Sequence, residues 1–260
     1  MNSPVIVFSL GAWITPPFFH ALRAQLQDLG FASKCPAHPS IGAEPPSKTL
    51  SDDVASLRRL LTNLADAEND IVVVAHSYGG VVAPNAVDGL SKTTRAQSGQ
   101  AGGVVQVIYL AAFALDRGQS LLEMLGGSFL PWMQVELILQ SQGDYVHIDN
   151  SSHIGWQDLP LDEQVQWNTF THHTSRAVFA GKVMHEPWSS EVPCAYVICE
   201  QDRAMPPAFQ EGFAAKVAGP ENTYRLPASH SPFLSMPIRL ADVLVEAIGG
   251  RSEEAVLSRF

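Results

Sequence analysis

Apolar positions in this chain gather in short runs rich in β-branched side chains, separated by longer stretches with helical spacing. Six runs read as strands: PVIVFSL (4–10), FASKCPA (31–37), DIVVVAH (70–76), VVQVIYLAA (104–112), PCAYVICE (193–200) and NTYRLPA (222–228). Most are continuous rather than alternating, as expected of strands covered on both faces. Between them, PPFFHALRAQLQDLG (16–30, closed by Gly30), LSDDVASLRRLLTNLADA (50–67, with Ser51 as the expected N-cap), PAFQEGFAAKVAG (207–219) and IRLADVLVEAIGG (238–250) read as helices. Strands alternating with helices predict an α/β fold, a mostly parallel central sheet flanked by helices on both faces.

Residues 117–190 break that rhythm. They hold Trp132, Trp156, Trp167 and Trp188, a hairpin-like QGDYVHIDNSS and an amphipathic LDEQVQWNTFTHH. The expectation is a mainly helical cap or lid insertion lying over one edge of the sheet, with 1–116 and 191–260 forming one core. A chain of 260 residues, 46% hydrophobic and without a repeat of fixed period, can bury one such core.

Charge removes one class of partner. A formal net charge of -10 argues against nucleic acid, whose binding needs a basic face. The first residues, MNSPVIVFSLGAW, carry no positive leader, and no run reaches the roughly 18 to 20 apolar residues of a membrane span. A cytoplasmic protein, monomeric or homodimeric, acting on a small molecule is expected. Cys35, Cys194 and Cys199 lack metal-ligand pairing and read as reduced thiols.

The stretch DIVVVAHSYGGVVAP (70–84) changes the picture most. A strand passing through small-x-Ser-x-Gly into a helix is the pattern of a nucleophile elbow, a turn so sharp that the residues two before and two after the serine must be small, here Ala75 and Gly79. The elbow exposes Ser77 Oγ above the sheet and begins a helix near Tyr78, and the backbone N–H groups of that helix N-terminus suit a developing oxyanion. Pro84 should break or kink that helix. His76, as the neighbour of Ser77, should point away from the site.

Serine needs a base, and the base a carboxylate. His230, in LPASHSPFLSMP after the last strand, is the best placed of the nine histidines. Asp202 in VICEQDRAMPP and Asp116 in AAFALDRGQS both follow strands, at the edge where open parallel sheets build their sites. Asp116 also reads as a turn or cap residue.

Together AHSYGG, AAFALDRGQS, VICEQDRAMPP and ASHSPFLSMP, in that order, resemble the α/β-hydrolase superfamily, and within it the small esterase branch that includes plant methylesterases and hydroxynitrile lyases. The resemblance implies a nucleophile Ser77, a base His230 and an acid Asp202, with backbone N–H groups of Ala12 and Tyr78 forming the oxyanion hole and no metal or organic cofactor. Where such enzymes usually have His-Gly after the first strand, this chain has Leu10-Gly11. Where the lyases of the branch have lysine after the histidine, it has Ser231, which disfavours cyanohydrin cleavage. The implied reaction is hydrolysis of an ester or lactone of a hydrophobic small molecule. Met124, Leu125, Phe129, Leu130, Trp132 and Met133 are candidates for the pocket roof, and Trp13 and His172 for further lining. Two alternatives remain: a cofactor-free lyase, cyclase or oxygenase using His230 and Asp202 as base, and a non-catalytic ligand-binding module.

Overall fold

A computed structural model describes residues 3–137, 143–190 and 192–249. Gln142, which opens the hairpin-like stretch, and residues 250–260 of the expected core lie outside the described residues. In chain order the strands are β1 (Val5–Ser9), β2 (Ser33–Lys34), β3 (Asp70–His76), β4 (Gly103–Leu110), β5 (Met133–Glu136), β6 (Tyr145–Ile148), β7 (Thr174–Ser175), β8 (Cys194–Cys199) and β9 (Thr223–Leu226). Six of them form a parallel sheet in the order β2-β1-β3-β4-β8-β9, with Val5 beside Ile71, Val73 beside Val107, Leu110 beside Val197 and Cys199 beside Leu226. All six expected strands are present. FASKCPA shortens to Ser33–Lys34 at the sheet edge, ahead of Pro36, which has no N–H to give a ladder.

The helices are α1 (His20–Asp28), α2 (Leu50–Asp66), α3 (Gly79–Val87), α4 (Lys92–Gln97), α5 (Leu121–Met124), α6 (Ser151–Gly155), α7 (Leu161–Asn168), α8 (Pro207–Val217), α9 (Pro232–Ser235) and α10 (Pro237–Gly249). The strands divide the core by their period of two. Val5, Val7, Ile71 and Val73 pack on one face with Leu57 and Leu61 of α2 and Val81 and Val82 of α3. Ile6, Phe8, Val72 and Val74 pack on the other with Leu22 and Leu26 of α1 and Leu240 and Leu244 of α10. Two covered faces are why the runs are continuously apolar.

Three local expectations are corrected. Helix α2 is capped by Thr49 rather than Ser51, because Asp52 Oδ2 reaches back to accept from Thr49 N and Oγ1, each at 2.9 Å. Helix α3 runs through Pro84 to Val87, so of the expected break or kink the break is overturned; every residue of it except Asn85 is buried, so packing holds the turn that proline weakens. Between β4 and β8, short helices are joined by an antiparallel sheet β5-β6-β7 that the apolar pattern did not reveal, β6 pairing with both neighbours instead of folding back on itself as a hairpin. Among the described residues, no helix is long and apolar enough to cross a membrane.

Candidate active site

The sharpest feature of the backbone lies at the carboxyl end of β3. Ser77 has φ 53°, a left-handed conformation that a non-glycine residue adopts only when its surroundings enforce it. The enforcement is steric. A Cβ on Gly79 would stand 2.1 Å from Ser9 O, and one on Gly80 would stand 2.1 Å from Phe113 O. The strand therefore turns into α3 with its first two helical residues pressed against neighbouring main chain, and only glycine fits there.

The histidine and the carboxylate come from two further carboxyl-edge loops. His230 Nδ1–H donates to Asp202 Oδ2 at 2.7 Å. Asp202 is buried, with Oδ1 accepting from Ala204 N and Met205 N, both 2.8 Å, and Oδ2 also accepting from Gln210 Nε2 at 2.9 Å. All its lone pairs facing protein are used, so its position is fixed and it accepts in one direction toward His230. The His230 loop is held from two more sides. His230 O accepts from His76 Nε2 at 2.9 Å, and Ser229 N donates to Asp158 Oδ2 at 2.9 Å. Asp116, by contrast, is exposed and pairs with Lys216 at 2.7 Å, while its carbonyl accepts from Gln119 N in a turn.

Ser77 and His230 line one cavity, and among the described residues no hydrogen bond joins Ser77 Oγ to the imidazole. Ala12 and Tyr78 border the same cavity. Neither of their N–H groups has a protein acceptor among the described residues, although their neighbours do: Trp13 N donates to Thr174 Oγ1 at 3.0 Å, and Gly80 N to Ser77 O at 3.0 Å. Two residues that border the space beside Ser77 thus keep backbone N–H groups without a protein acceptor.

The cavity holds about 650 Å³ of space between atoms, its mouth included, and is narrow between its walls. Among the described residues, its lining has no Asp, Glu, Lys or Arg side chain. Trp13, Trp132, Met133 and Leu130 line it as expected, and Trp13 meets Trp132 edge-on at 5.6 Å between ring centres. Phe129 does not reach it: its ring packs edge-on against Phe179 at 5.2 Å, and Phe179 is the residue that faces the cavity. Met124 and Leu125 likewise pack on the core outside the lining. His172 is exposed and outside the lining, because its N–H is spent on Trp13 O and its ring turns toward Gly42.

His76 also departs from expectation. Its ring lies against His230, 4.7 Å between centres, and borders the cavity. It belongs to the face of β3 that carries Val72 and Val74, and the His230 loop and Phe233 close over that face. Burial, and the neighbouring His230, hold its pKa well below the usual histidine value, so it is a neutral donor to His230 O. His38 is buried beneath the first-strand loop and donates to Leu10 O at 3.2 Å; burial lowers its pKa despite the pull of Asp53. Gln210, Asp53 and Asp158 were missed as well. Two of them left a trace, since Gln210 sits on the buried stripe Gln210, Ala214, Val217 of α8 and Asp53 on the stripe Leu50, Asp53, Leu57, Leu61 of α2. A polar residue on an apolar stripe needs a partner.

The thiols take no part. Burial pushes Cys35 and Cys194 up to about 12 and raises Cys199 further from ionisation. Among the described residues, no group of three or more His, Cys, Asp or Glu is placed to hold a metal ion.

A sequence model of the Alpha/beta hydrolase family matches residues 6–243. The chain is 27% identical to the alpha/beta hydrolase nvfD of Aspergillus novofumigatus over 98% of its own length and 99% of that protein's. It is also 27% identical to a probable hydrolase, R7, of a Phoma species, over 96% and 100% of the two lengths. In three dimensions it superposes on the crystal structure of polyneuridine aldehyde esterase with a TM-score of 0.76, covering 94% of this chain and 98% of that one at 16% identity.

Proposed function

We infer, from the premise that this chain belongs to the alpha/beta hydrolase family, that it is a serine hydrolase cleaving a carboxylic ester or lactone of an uncharged, hydrophobic small molecule. One observation carries the reading: His230, bonded to buried Asp202, opens on the same apolar cavity as the strained Ser77 and two unpartnered amides. In the proposed cycle Ser77 Oγ attacks the acyl carbon and His230 Nε2 takes its proton. Asp202 holds the imidazole in the Nδ1–H tautomer and stabilises the imidazolium that forms. The carbonyl oxygen, now negative, is held by the N–H groups of Ala12 and Tyr78. Collapse of the tetrahedral intermediate sends the His230 proton to the leaving alcohol and leaves an acyl group on Ser77, which a water deprotonated by His230 then removes.

The substrate class follows from the walls. A cavity without charged side chains offers nothing to solvate an ionised group, so a neutral molecule enters at lower cost than an anion or cation. Its narrowness favours a flat or extended group beside Trp13 and Trp132. Ester chemistry is also in keeping with the activity named for polyneuridine aldehyde esterase, whose fold the chain shares. Backbone donation by Ala12 needs no particular side chain, so Leu10 in place of histidine leaves that donor intact.

One observation favours a second reading. Ser77 Oγ makes no hydrogen bond to His230, as would suit a lyase, cyclase or oxygenase in which His230 and Asp202 act alone. Catalytic hydrogen bonds are often loose before substrate binds, so the hydrolase reading stands ahead. A panel of neutral esters and lactones, run beside anionic analogues on the wild type and on Ser77→Ala, tests it. Turnover of neutral substrates by the wild type and none by Ser77→Ala is expected; undiminished turnover by Ser77→Ala would select the base-only chemistry.

A further inference from the structure

Beneath the elbow lies a buried carboxylate that the reaction does not use. Asp53, in the first turn of α2, is fully buried, and among the described residues it has no Lys or Arg partner. Its Oδ1 accepts from Ser40 N at 2.9 Å, and its Oδ2 accepts from Ser40 Oγ at 2.6 Å and from Tyr78 Oη at 2.8 Å. A charge buried without a counter-charge is expensive, and hydrogen bonds with a helix N-terminus offset that cost only in part. What the carboxylate holds is therefore informative. Tyr78 follows Ser77 directly and borders the cavity, and its N–H is one of the two that have no protein acceptor among the described residues.

The restraint continues beyond Asp53. Ser40 O accepts from Ser175 N at 3.0 Å and from Ser175 Oγ at 3.3 Å, and the preceding residue of β7, Thr174, accepts from Trp13 N at 3.0 Å. Trp13, at φ 66°, is the residue after Ala12, the second free donor. The two amides come from segments far apart in sequence. One two-residue strand fixes both, directly through Trp13 on one side and through Ser40, Asp53 and the Tyr78 side chain on the other.

We propose that Asp53 is a positioning residue that, through the Tyr78 hydroxyl, sets the Tyr78 N–H at the angle and distance it needs to stabilise the oxyanion. The proposal rests on the hydrolase reading above. It predicts that the Tyr78 hydroxyl matters to the transition state and not to the ground state, because the substrate carbonyl gains full charge at that amide only after attack.

The test uses Tyr78→Phe, which removes the hydroxyl and keeps the ring, with Asp53→Ala and Asp53→Asn, assayed on p-nitrophenyl acetate. A trifluoromethyl ketone, which adds to the serine and places a negative oxygen in the hole, serves as the probe of that site. Tyr78→Phe and Asp53→Ala should lower kcat by about ten- to a hundredfold, the cost of a misplaced catalytic group, leave KM nearly unchanged and weaken ketone binding by the same factor. The pH dependence of kcat/KM, which reports the base, should not move. Asp53→Asn, still able to bond both hydroxyls, should recover much of the loss. A merely structural Asp53 would lower the melting temperature while leaving kcat and the ketone constant within about twofold at low temperature, and that outcome overturns the proposal. An unchanged Tyr78→Phe overturns it whatever Asp53→Ala does, and if Asp53→Ala fails to fold, Tyr78→Phe decides alone. Failure of the underlying reading looks different: Ser77→Ala would then keep its turnover.

Discussion

The candidate cavity has two walls of different construction. One comes from the carboxyl edge of the parallel sheet, with Ala12, Ser77, Tyr78 and His230 set by backbone strain, by glycine clearances of 2.1 Å and by buried hydrogen bonds. The other comes from the stretch between β4 and β8, where Leu130, Trp132, Met133, Ile148 and Trp156 meet the space with apolar side chains, Met133 and Ile148 carried side by side on β5 and β6. The first wall fixes atoms; the second fills volume. Changes to the first should strike every substrate alike, whereas changes to the second should alter which substrates are taken.

The largest expected effect tests the first wall. Asp202→Asn should lower kcat by on the order of 10³- to 10⁴-fold at neutral pH with KM and fold retained, since the amide disfavours the required imidazole tautomer. Asp116→Asn, on an exposed ion pair with Lys216, should leave kcat within about twofold. Steady-state kinetics of both variants on one ester decides, and a near-dead Asp116→Asn beside an active Asp202→Asn would reverse the assignment.

The second wall should answer differently. Trp132→Ala opens space beside Trp13, so the ratio of kcat/KM between a bulky aromatic ester and p-nitrophenyl acetate should shift by roughly ten- to a hundredfold, with turnover of the small ester little changed. Equal losses on both, with a lowered melting temperature, would make this wall structural only.

The smallest effect sharpens the contrast through acid stability. His76 in the first wall and His38 behind it are buried and neutral, with pKa values lowered by burial, whereas His147 and His172 between β4 and β8 are not buried. Below about pH 6.5 the unfolded chain binds protons that the folded chain refuses at His38 and His76. Stability should hold above that pH and fall as pH drops through it, by up to about 1.4 kcal/mol per pH unit for each histidine. Urea unfolding from pH 7.5 to 5.5 measures the slope. His38→Gln should remove its share; an unchanged slope would place the acid sensitivity elsewhere.

The same division governs what could be read from the sequence. The sheet was legible because strands buried on both faces must be continuously apolar, and the elbow because Ala75 and Gly79 stand where the turn tolerates only small residues. The pairing of His230 with Asp202 was legible through motif order and the resemblance. Strands β5 to β7 were not, since Met133–Glu136 and Thr174–Ser175 are too short to show a period. Phe129 and Trp132 are chemically alike and three residues apart, yet only Trp132 meets the cavity, because Phe179 stands in front of Phe129. His76 was misjudged because alternation along a strand says which face a side chain takes but not which loop closes over it.

In the proposed cycle Ser77 becomes covalently acylated. Rapid quench of wild-type protein with a slowly deacylated ester, followed by intact-mass and peptide analysis, tests it most directly. An added mass equal to the acyl group is expected, located on Ser77, formed no slower than steady-state turnover and absent in Ser77→Ala. Full turnover with no adduct at any quench time, and Ser77→Ala retaining most of its activity, would contradict it.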